Sequence, residues 1–297
     1  MAIPQFIDYL RLERNYSAHT ITAYERDLLR LSEYLKEQYD TTLREAGYPM
    51  LRSYLVLLRE DGVAARSINR KASSYKSYYN WCLVTNQIES SPLELHQSLK
   101  TKTRQTVPFS ESEVQSALQA IDHDGSFASV RDALIIQLLY TTGMRRAELI
   151  GLDLLDVDIA GNYIKVTGKR DKQRIVPLLQ PVKLLIKQYL PLRQPLCNVT
   201  EPAFIVSQFG KRCYPKLVYR VINEYFSEAS TKLKCSPHVL RHAFATQLLD
   251  EGAHLNAVKE LLGHASLAST QVYTHSSMAK LKGVHRNAHP RNQRTNP

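Results

Sequence analysis

Apolar residues recur along the first hundred positions at the spacing of one helical face, and they define four helices. The first carries Ile3, Phe6, Ile7 and Leu10. Ser17 is a candidate N-cap for a longer second helix that turns Tyr24, Leu28, Leu31 and Leu35 inward. A third follows Pro49, with Leu51, Tyr54, Leu55 and Leu58 on its inner face and Gly62 as its stop. Ser67 is the candidate cap of the fourth, whose stripe is Ile68, Ala72, Tyr75 and Tyr79. After Pro92 the periodicity ends, and residues 97–108 (QSLKTKTRQTVP) are polar and basic with no apolar stripe, as a linker is. A helical pattern restarts at Phe109, and residues 130–140 are so apolar that they belong at the centre of a second core.

Between Leu154 and Leu178 the period shortens towards two. Residues 157–159, 163–166 and 174–177 read as short strands, separated by Gly161-Asn162 and by Gly168-Lys169-Arg170-Asp171. A three-stranded antiparallel sheet is their simplest assembly, and helices resume from Val182. The pattern therefore predicts a mainly α chain with one small antiparallel β-sheet in its C-terminal domain. The expected domains are a four-helix core over 1–96, a linker over 97–108 and a second domain over 109–297.

Charge adds a partner to this picture. Among 297 residues, 39 Lys and Arg against 28 Asp and Glu leave a net charge of +11, which points to a polyanion and excludes acidic disordered or mucin-like chains. With 43% hydrophobic residues the chain has the material for sizeable cores. The N-terminus lacks the basic run and long apolar stretch of a secretory signal, and no apolar run approaches the ~18 residues that span a bilayer. Cys82, Cys197, Cys213 and Cys235 are scattered, without a C-x-x-C pair. A soluble protein of the reducing cytoplasm is expected. The outer face of the fourth helix carries Asn69, Arg70, Ser73, Lys76 and Ser77, either as a solvated face or as a strip of phosphate contacts.

Nucleotide and hydrolase signatures are missing. Gly161 and Gly168-Lys169 do not make a phosphate-binding loop, because the glycines are too far apart and Arg170 stands where Ser or Thr would hold magnesium. His238 and His242 have a metal-ligand spacing, but Arg241 lies between them and no catalytic Glu accompanies them, so no metal site is expected. The segment CSPHVLRHAFATQLLDEG is more informative. Ser236 is a good N-cap and Pro237 a good first residue, which puts His238 in the first helical turn and Arg241 on the same face. This is either a phosphate clamp at a helix N-terminus or an exposed helix start with an incidental arginine. Beyond it, a short helix stopped by Gly263 precedes His264 in a turn and Tyr273 on a further helix, and upstream TGMRRAEL follows the apolar helix directly.

These motifs, taken in order, resemble the catalytic domain of the tyrosine site-specific recombinases of the phage-integrase and Xer kind. The family pattern of Arg, Lys, His-x-x-Arg, His or Trp, and Tyr falls on Arg145, Lys169, His238, Arg241, His264 and Tyr273. The N-terminal FIDYLRLERNYSAHTITAYERDL is similar to the DNA-clamping helices of the same enzymes, so the resemblance spans nearly the whole chain. Two departures stand out. Arg170 replaces a common Gly, which leaves Lys172 as a lesser candidate beside Lys169, and the doubled Arg145-Arg146 takes its register from Gly143.

The resemblance implies a two-domain DNA clamp that cleaves and rejoins duplex DNA through a 3′-phosphotyrosyl intermediate and exchanges strands between two recombination sites. Tyr273 would be the nucleophile and Arg145 and Arg241 the phosphate clamp. His238 and His264 would donate to the developing charge, with Lys169 as general acid and no metal, nucleotide or other cofactor. It also implies a homotetramer, or a heterotetramer with a paralogous recombinase, around two duplexes, with the residues after Tyr273 docked on a neighbour and no membrane partner. Two rival functions share these parts: a DNA-binding protein with a vestigial catalytic set, and a type IB topoisomerase-like nicking-closing enzyme. Every expected functional group is present and the N-terminal helices are Xer-like, which favours the recombinase.

Overall fold

Helices form where the apolar stripe recurs: α1 (Ala2–Leu12), α2 (Ala18–Tyr39), α3 (Tyr48–Glu60) and α4 (Ala65–Val84). The computed structural model describes residues 2–101, 107–122, 124–168, 171–198, 200–229 and 235–263. The chain divides into two compact units between residues 104 and 105. Ser17 caps α2 as expected, its hydroxyl accepting from the Thr20 amide at 3.3 Å. The fourth helix differs. It starts at Ala65, with Ala64 at the cap position and Ser67 already inside the first turn. The Gly62 turn, at φ +78°, returns the chain so directly, with Val63 N–H donating to the Leu58 carbonyl at 3.0 Å, that helical geometry begins before the serine.

Phe6, Leu10, Leu28, Leu31, Leu35, Tyr75, Tyr78, Tyr79 and Cys82 are fully buried between these helices. Each large side chain contributes about 1.5–3 kcal/mol of burial. Among them lies one carboxylate. Asp27, wholly buried, accepts a bidentate pair from Arg70 (2.6 and 2.9 Å) and a bond from Lys71 at 2.8 Å.

The second unit is built round α6 (Phe127–Thr142), which is apolar on all sides and buried throughout residues 134–142. It packs against α8 (Gln180–Arg193), α9 (Pro215–Ala229) and α10 (Pro237–Asp250). α5 (Glu111–Gln119), held by a Ser110–Glu113 capping box, and Phe109, 4.3 Å from the Phe226 ring, complete this side of the core. α7 (Arg146–Gly151) leads into β1 (Val157–Asp158), β2 (Tyr163–Thr167) and β3 (Gln173–Pro177), antiparallel in the order β1-β2-β3. β1 stops at Asp158, one residue short of expectation, because the Asp158 carboxylate takes the Gly161 amide at 2.7 Å and starts the turn there. α11 (Leu255–Leu262) packs on α10 through Phe244, Leu248, Val258, Leu261 and Leu262. Among the described residues no helix is long and apolar enough to cross a membrane.

Removing the Asp27 carboxylate leaves Lys71 buried without its counter-charge, so Asp27→Ala should cost about 3–5 kcal/mol in urea unfolding. A loss below about 1 kcal/mol would show that the cluster contributes nothing net. Burial alone would raise this carboxyl, but the hydrogen bonds and charges of Arg70 and Lys71 outweigh it and hold it below its ordinary value of 3.8. Its contribution is therefore complete above pH 3.8 and is lost as pH falls below that value towards the lower folded one. Asp27→Asn, which has no proton to gain, should lose that part of the acid dependence.

Candidate active site

A single carboxylate organises this region. Glu148, 6% exposed in α7, accepts the Arg145 backbone N–H on Oε2 at 2.7 Å and the Arg145 Nη1 on Oε1 at 2.8 Å. From β3, Arg174 donates Nη2 to Glu148 Oε2 at 2.8 Å and Nε to the Leu261 carbonyl at 2.8 Å. From α10, Arg241 donates Nη1 to the Gly143 carbonyl at 2.5 Å and Nη2 to the Leu262 carbonyl at 2.6 Å. Three guanidinium groups thus converge on one region, where Glu148 pairs with two of them, Arg145 and Arg174, and Arg241 is held by backbone carbonyls.

The electrostatics follow. Burial pushes the Glu148 carboxyl up, but the bond and charge of Arg174, then the bonds from Arg145, bring it below the ordinary range. Burial, and then the neighbouring charge of Arg145, lower Arg241 to about 10, which still leaves it cationic at neutral pH. Positive charge in excess of its counter-charge, presented by planar forks, suits a phosphate: an anion entering here relieves the repulsion among the arginines. Arg145 is the more open of the two, its side chain 32% exposed, whereas Arg241 is buried.

Gly143 makes the convergence geometrically feasible. It ends α6 at φ +59°, and a Cβ there would lie 2.3 Å from Phe244 Cδ1 and 2.9 Å from Leu262 Cδ2. Its carbonyl is the one that Arg241 grips. The doubled arginines then separate: Arg145 turns to Glu148, while Arg146 lines an open cleft of 520 Å³ with Tyr219, His238 and His242. His238 is exposed in the first turn of α10. Ser236 is the residue before that helix, as expected, but it is buried and its hydroxyl makes no capping bond. Among the described residues no group of three or more His, Cys, Asp or Glu is arranged to hold a metal ion.

Lys169, His264 and Tyr273 lie outside the described residues. Gly168 and Gly263, the residues before Lys169 and His264, are described. Gly168 N–H donates to the Lys172 carbonyl at 2.8 Å, closing the β2–β3 hairpin, and a Cβ on Gly168 would stand 3.4 Å from Glu148 Oε1. Lys172 is exposed. The structure therefore brings Arg145 and Arg241 together, sets His238 in the adjoining cleft and seats the hairpin end beside Glu148. Neither Glu148 nor Arg174 is among the site residues that the sequence motifs mark. The available signal was parity: Arg174 shares the core face of its strand with Val176.

On α4, four of the five strip residues, Asn69, Arg70, Ser73 and Lys76, have partners inside the first unit. The Asn69 amide exchanges bonds with the Leu99 backbone at 2.8 and 2.9 Å, and the Lys76 ammonium donates to the His96 carbonyl at 2.9 Å. Ser73 donates to the Asn69 carbonyl at 2.9 Å, and Arg70, its side chain 42% exposed, holds Asp27. The segment up to Leu99 is thus strapped to α4, although its sequence carries no apolar period.

Residues 93–280 match the phage integrase family, and residues 3–85 match the phage integrase N-terminal SAM-like domain. The chain is 37% identical over 290 residues to tyrosine recombinase XerC of Listeria monocytogenes serotype 4b, covering 97% of each chain. It is also 37% identical to tyrosine recombinase XerC of Chlorobaculum parvum, covering 96% of this chain and 93% of the relative. In fold it is similar to the XerH site-specific recombinase bound to a palindromic difH substrate, at TM-score 0.69 and 24% identity, covering 95% of this chain and 83% of that one. The Tn1549 transposon integrase in complex with transposon right end DNA has the same fold, at TM-score 0.68 and 20% identity, covering 95% and 98%. The chain belongs to the phage integrase family and is a Xer-like tyrosine recombinase, an enzyme of site-specific DNA recombination.

Gly143→Ala should destabilise the protein by about 2–5 kcal/mol, since it adds a strained left-handed residue and a methyl group without space. Gly62→Ala is the control: its φ is also positive, +78°, but nothing lies within 4 Å of the added methyl. Denaturant unfolding should show the larger loss at Gly143, and strand cleavage should fall with it. Equal losses at both glycines would mean that the Phe244 and Leu262 contacts yield freely.

Proposed function

We propose that the chain cuts each DNA strand with Tyr273. The observation that supports this reading best is the convergence of Arg145, Arg174 and Arg241 around Glu148, a cationic centre for one phosphate. The Tyr273 phenolate oxygen bonds to the scissile phosphorus as the P–O5′ bond breaks, leaving a 3′-phosphotyrosyl ester and a free 5′-hydroxyl. Arg145 and Arg241 neutralise the non-bridging oxygens, with His238 and His264 donating to the same developing charge. Lys169, the residue after Gly168 in sequence, gives the departing 5′-oxygen its proton. A 5′-hydroxyl from the second duplex then attacks the ester and releases the tyrosine, so no nucleotide or metal cofactor is consumed or required.

Residues 1–96 act as one jaw of the DNA clamp, with Asn69, Arg70, Ser73 and Lys76 on its DNA-facing strip, residues 97–108 as linker and 109–297 as the catalytic jaw. Two recombination sites are held by four protomers, identical or paired with a paralogue, in the cytoplasm where the DNA lies. The basic balance of +11 supports this assignment through non-specific phosphate attraction.

Tyr273→Phe should bind a cognate site as the unaltered enzyme does and form no denaturant-resistant protein–DNA adduct on a nicked substrate. Chelator should leave adduct formation by the unaltered enzyme intact. An adduct from the phenylalanine variant, or activity lost in EDTA and restored by magnesium, would falsify this mechanism.

Lys169→Ala should slow cleavage by about 10²–10⁴-fold. A 5′-bridging sulfur, which leaves without a proton, should restore that variant selectively and leave Lys172→Ala unchanged. Rescue of the Lys172 variant alone would move the general acid to Lys172.

A further inference from the structure

Arg174 belongs to none of the six motif positions, yet it is 5% exposed on the core face of β3, beside positions filled by Ile164, Val166 and Val176. A guanidinium in such a place is costly unless its charge is paired and its hydrogen bonds are made. Both conditions are met by groups from distant parts of the sequence: Glu148 Oε2 in α7 and the Leu261 carbonyl in the last turn of α11, each at 2.8 Å. The side chain also lies against two glycines. A Cβ on Gly263 would stand 3.2 Å from Arg174 Cδ, and one on Gly168 would stand 4.0 Å from Nη1. The arginine motif, the hairpin end and the end of α11 therefore meet at one side chain.

Two physical consequences follow. The terminal torsion of a glutamate is soft and nearly two-fold, so a carboxylate held only by Arg145 would swing with it. The bond from Arg174 fixes that plane, and through it the guanidinium of Arg145. In addition, the last carbonyls of a helix have no partners within the helix. Those of Leu261 and Leu262 are taken by Arg174 and Arg241 respectively, which ties the end of α11 to the same arginine cluster.

We propose that Arg174 is a positioning residue for strand cleavage: it aims Arg145 through Glu148 and locks the end of α11 into the same frame. This rests on the strand-cleavage reading given above. Lysine cannot replace it, because a single ammonium does not reproduce a planar fork with acceptors on two sides.

The test is single-turnover adduct formation by the unaltered enzyme, Arg174→Gln and Arg174→Lys. Each is measured on a nicked site with an ordinary scissile phosphate and on one with a methylphosphonate, which carries no charge and needs little neutralisation. Both variants should bind the site and lose about 10²-fold on the phosphate, the scale of a misplacement near 1 Å. Relative to the unaltered enzyme, most of that loss should disappear on the methylphosphonate, because the fault lies in charge neutralisation. Arg174→Lys keeps a cation and a long stem, so it carries the test if Arg174→Gln fails to fold. Equal losses on the two substrates would make Arg174 a merely structural residue, and a lysine variant as fast as the unaltered enzyme would remove the need for a fork; either overturns the inference alone. No adduct from the unaltered enzyme on the phosphate would overturn the strand-cleavage reading and this inference together.

Discussion

The second unit depends on one buried carboxylate that faces more positive charge than it can neutralise. Glu148 is out of water, and its desolvation is offset because Arg145, just before α7, and Arg174, from β3, reach its two oxygens. Arg241 adds a further cation whose guanidinium hydrogen bonds go to backbone carbonyls instead. The cluster is thus held together by hydrogen bonds while remaining electrostatically incomplete. On the strand-cleavage mechanism proposed above, the substrate phosphate completes it, and the same imbalance is then a cost to the empty protein and a source of binding and transition-state stabilisation.

Such a cluster needs a rigid frame, and α6 supplies it. A helix that is apolar on every side is confined on every side, so its C-terminal residue is delivered to a fixed place. At that place Gly143 turns the chain where no other residue has room, and five residues later in the motif the side chain of Glu148 folds back on the Arg145 amide. The opposite wall comes from α10 and α11, whose small apolar cluster around Phe244 and Leu262 packs against that glycine. Packing and electrostatics are coupled here: the carbonyls that hold Arg241 belong to Gly143 and Leu262, the residues that also touch through van der Waals contact.

The first unit uses similar chemistry for a different end. Asp27 is also a buried carboxylate met by two cations, but Lys71 is buried with it and Arg70 closes over it as a bidentate lid. Hydrogen bonds from Asn69 and Lys76 fasten the chain at Leu99 and His96. A strip that looks like free positive charge in sequence is therefore already engaged with its own unit, and any contact with phosphate must use the donors left over.

Local pattern by itself determined much of this protein. The stripes of Leu28, Leu31 and Leu35 and of Tyr75 and Tyr79, the apolar run through α6 and the alternation at Ile164, Val166 and Val176 set the elements, because each period matches only one backbone geometry. The motif order around Arg145, His238 and Arg241 also identified the chemistry. What the tertiary structure decided is which charges meet. That Asn69 holds Leu99, and above all that Arg174 shares Glu148 with Arg145, depend on contacts between residues 26 to 30 positions apart. No period records such contacts. An inward arginine on a strand reads as an exception until the packed core shows the carboxylate that it serves.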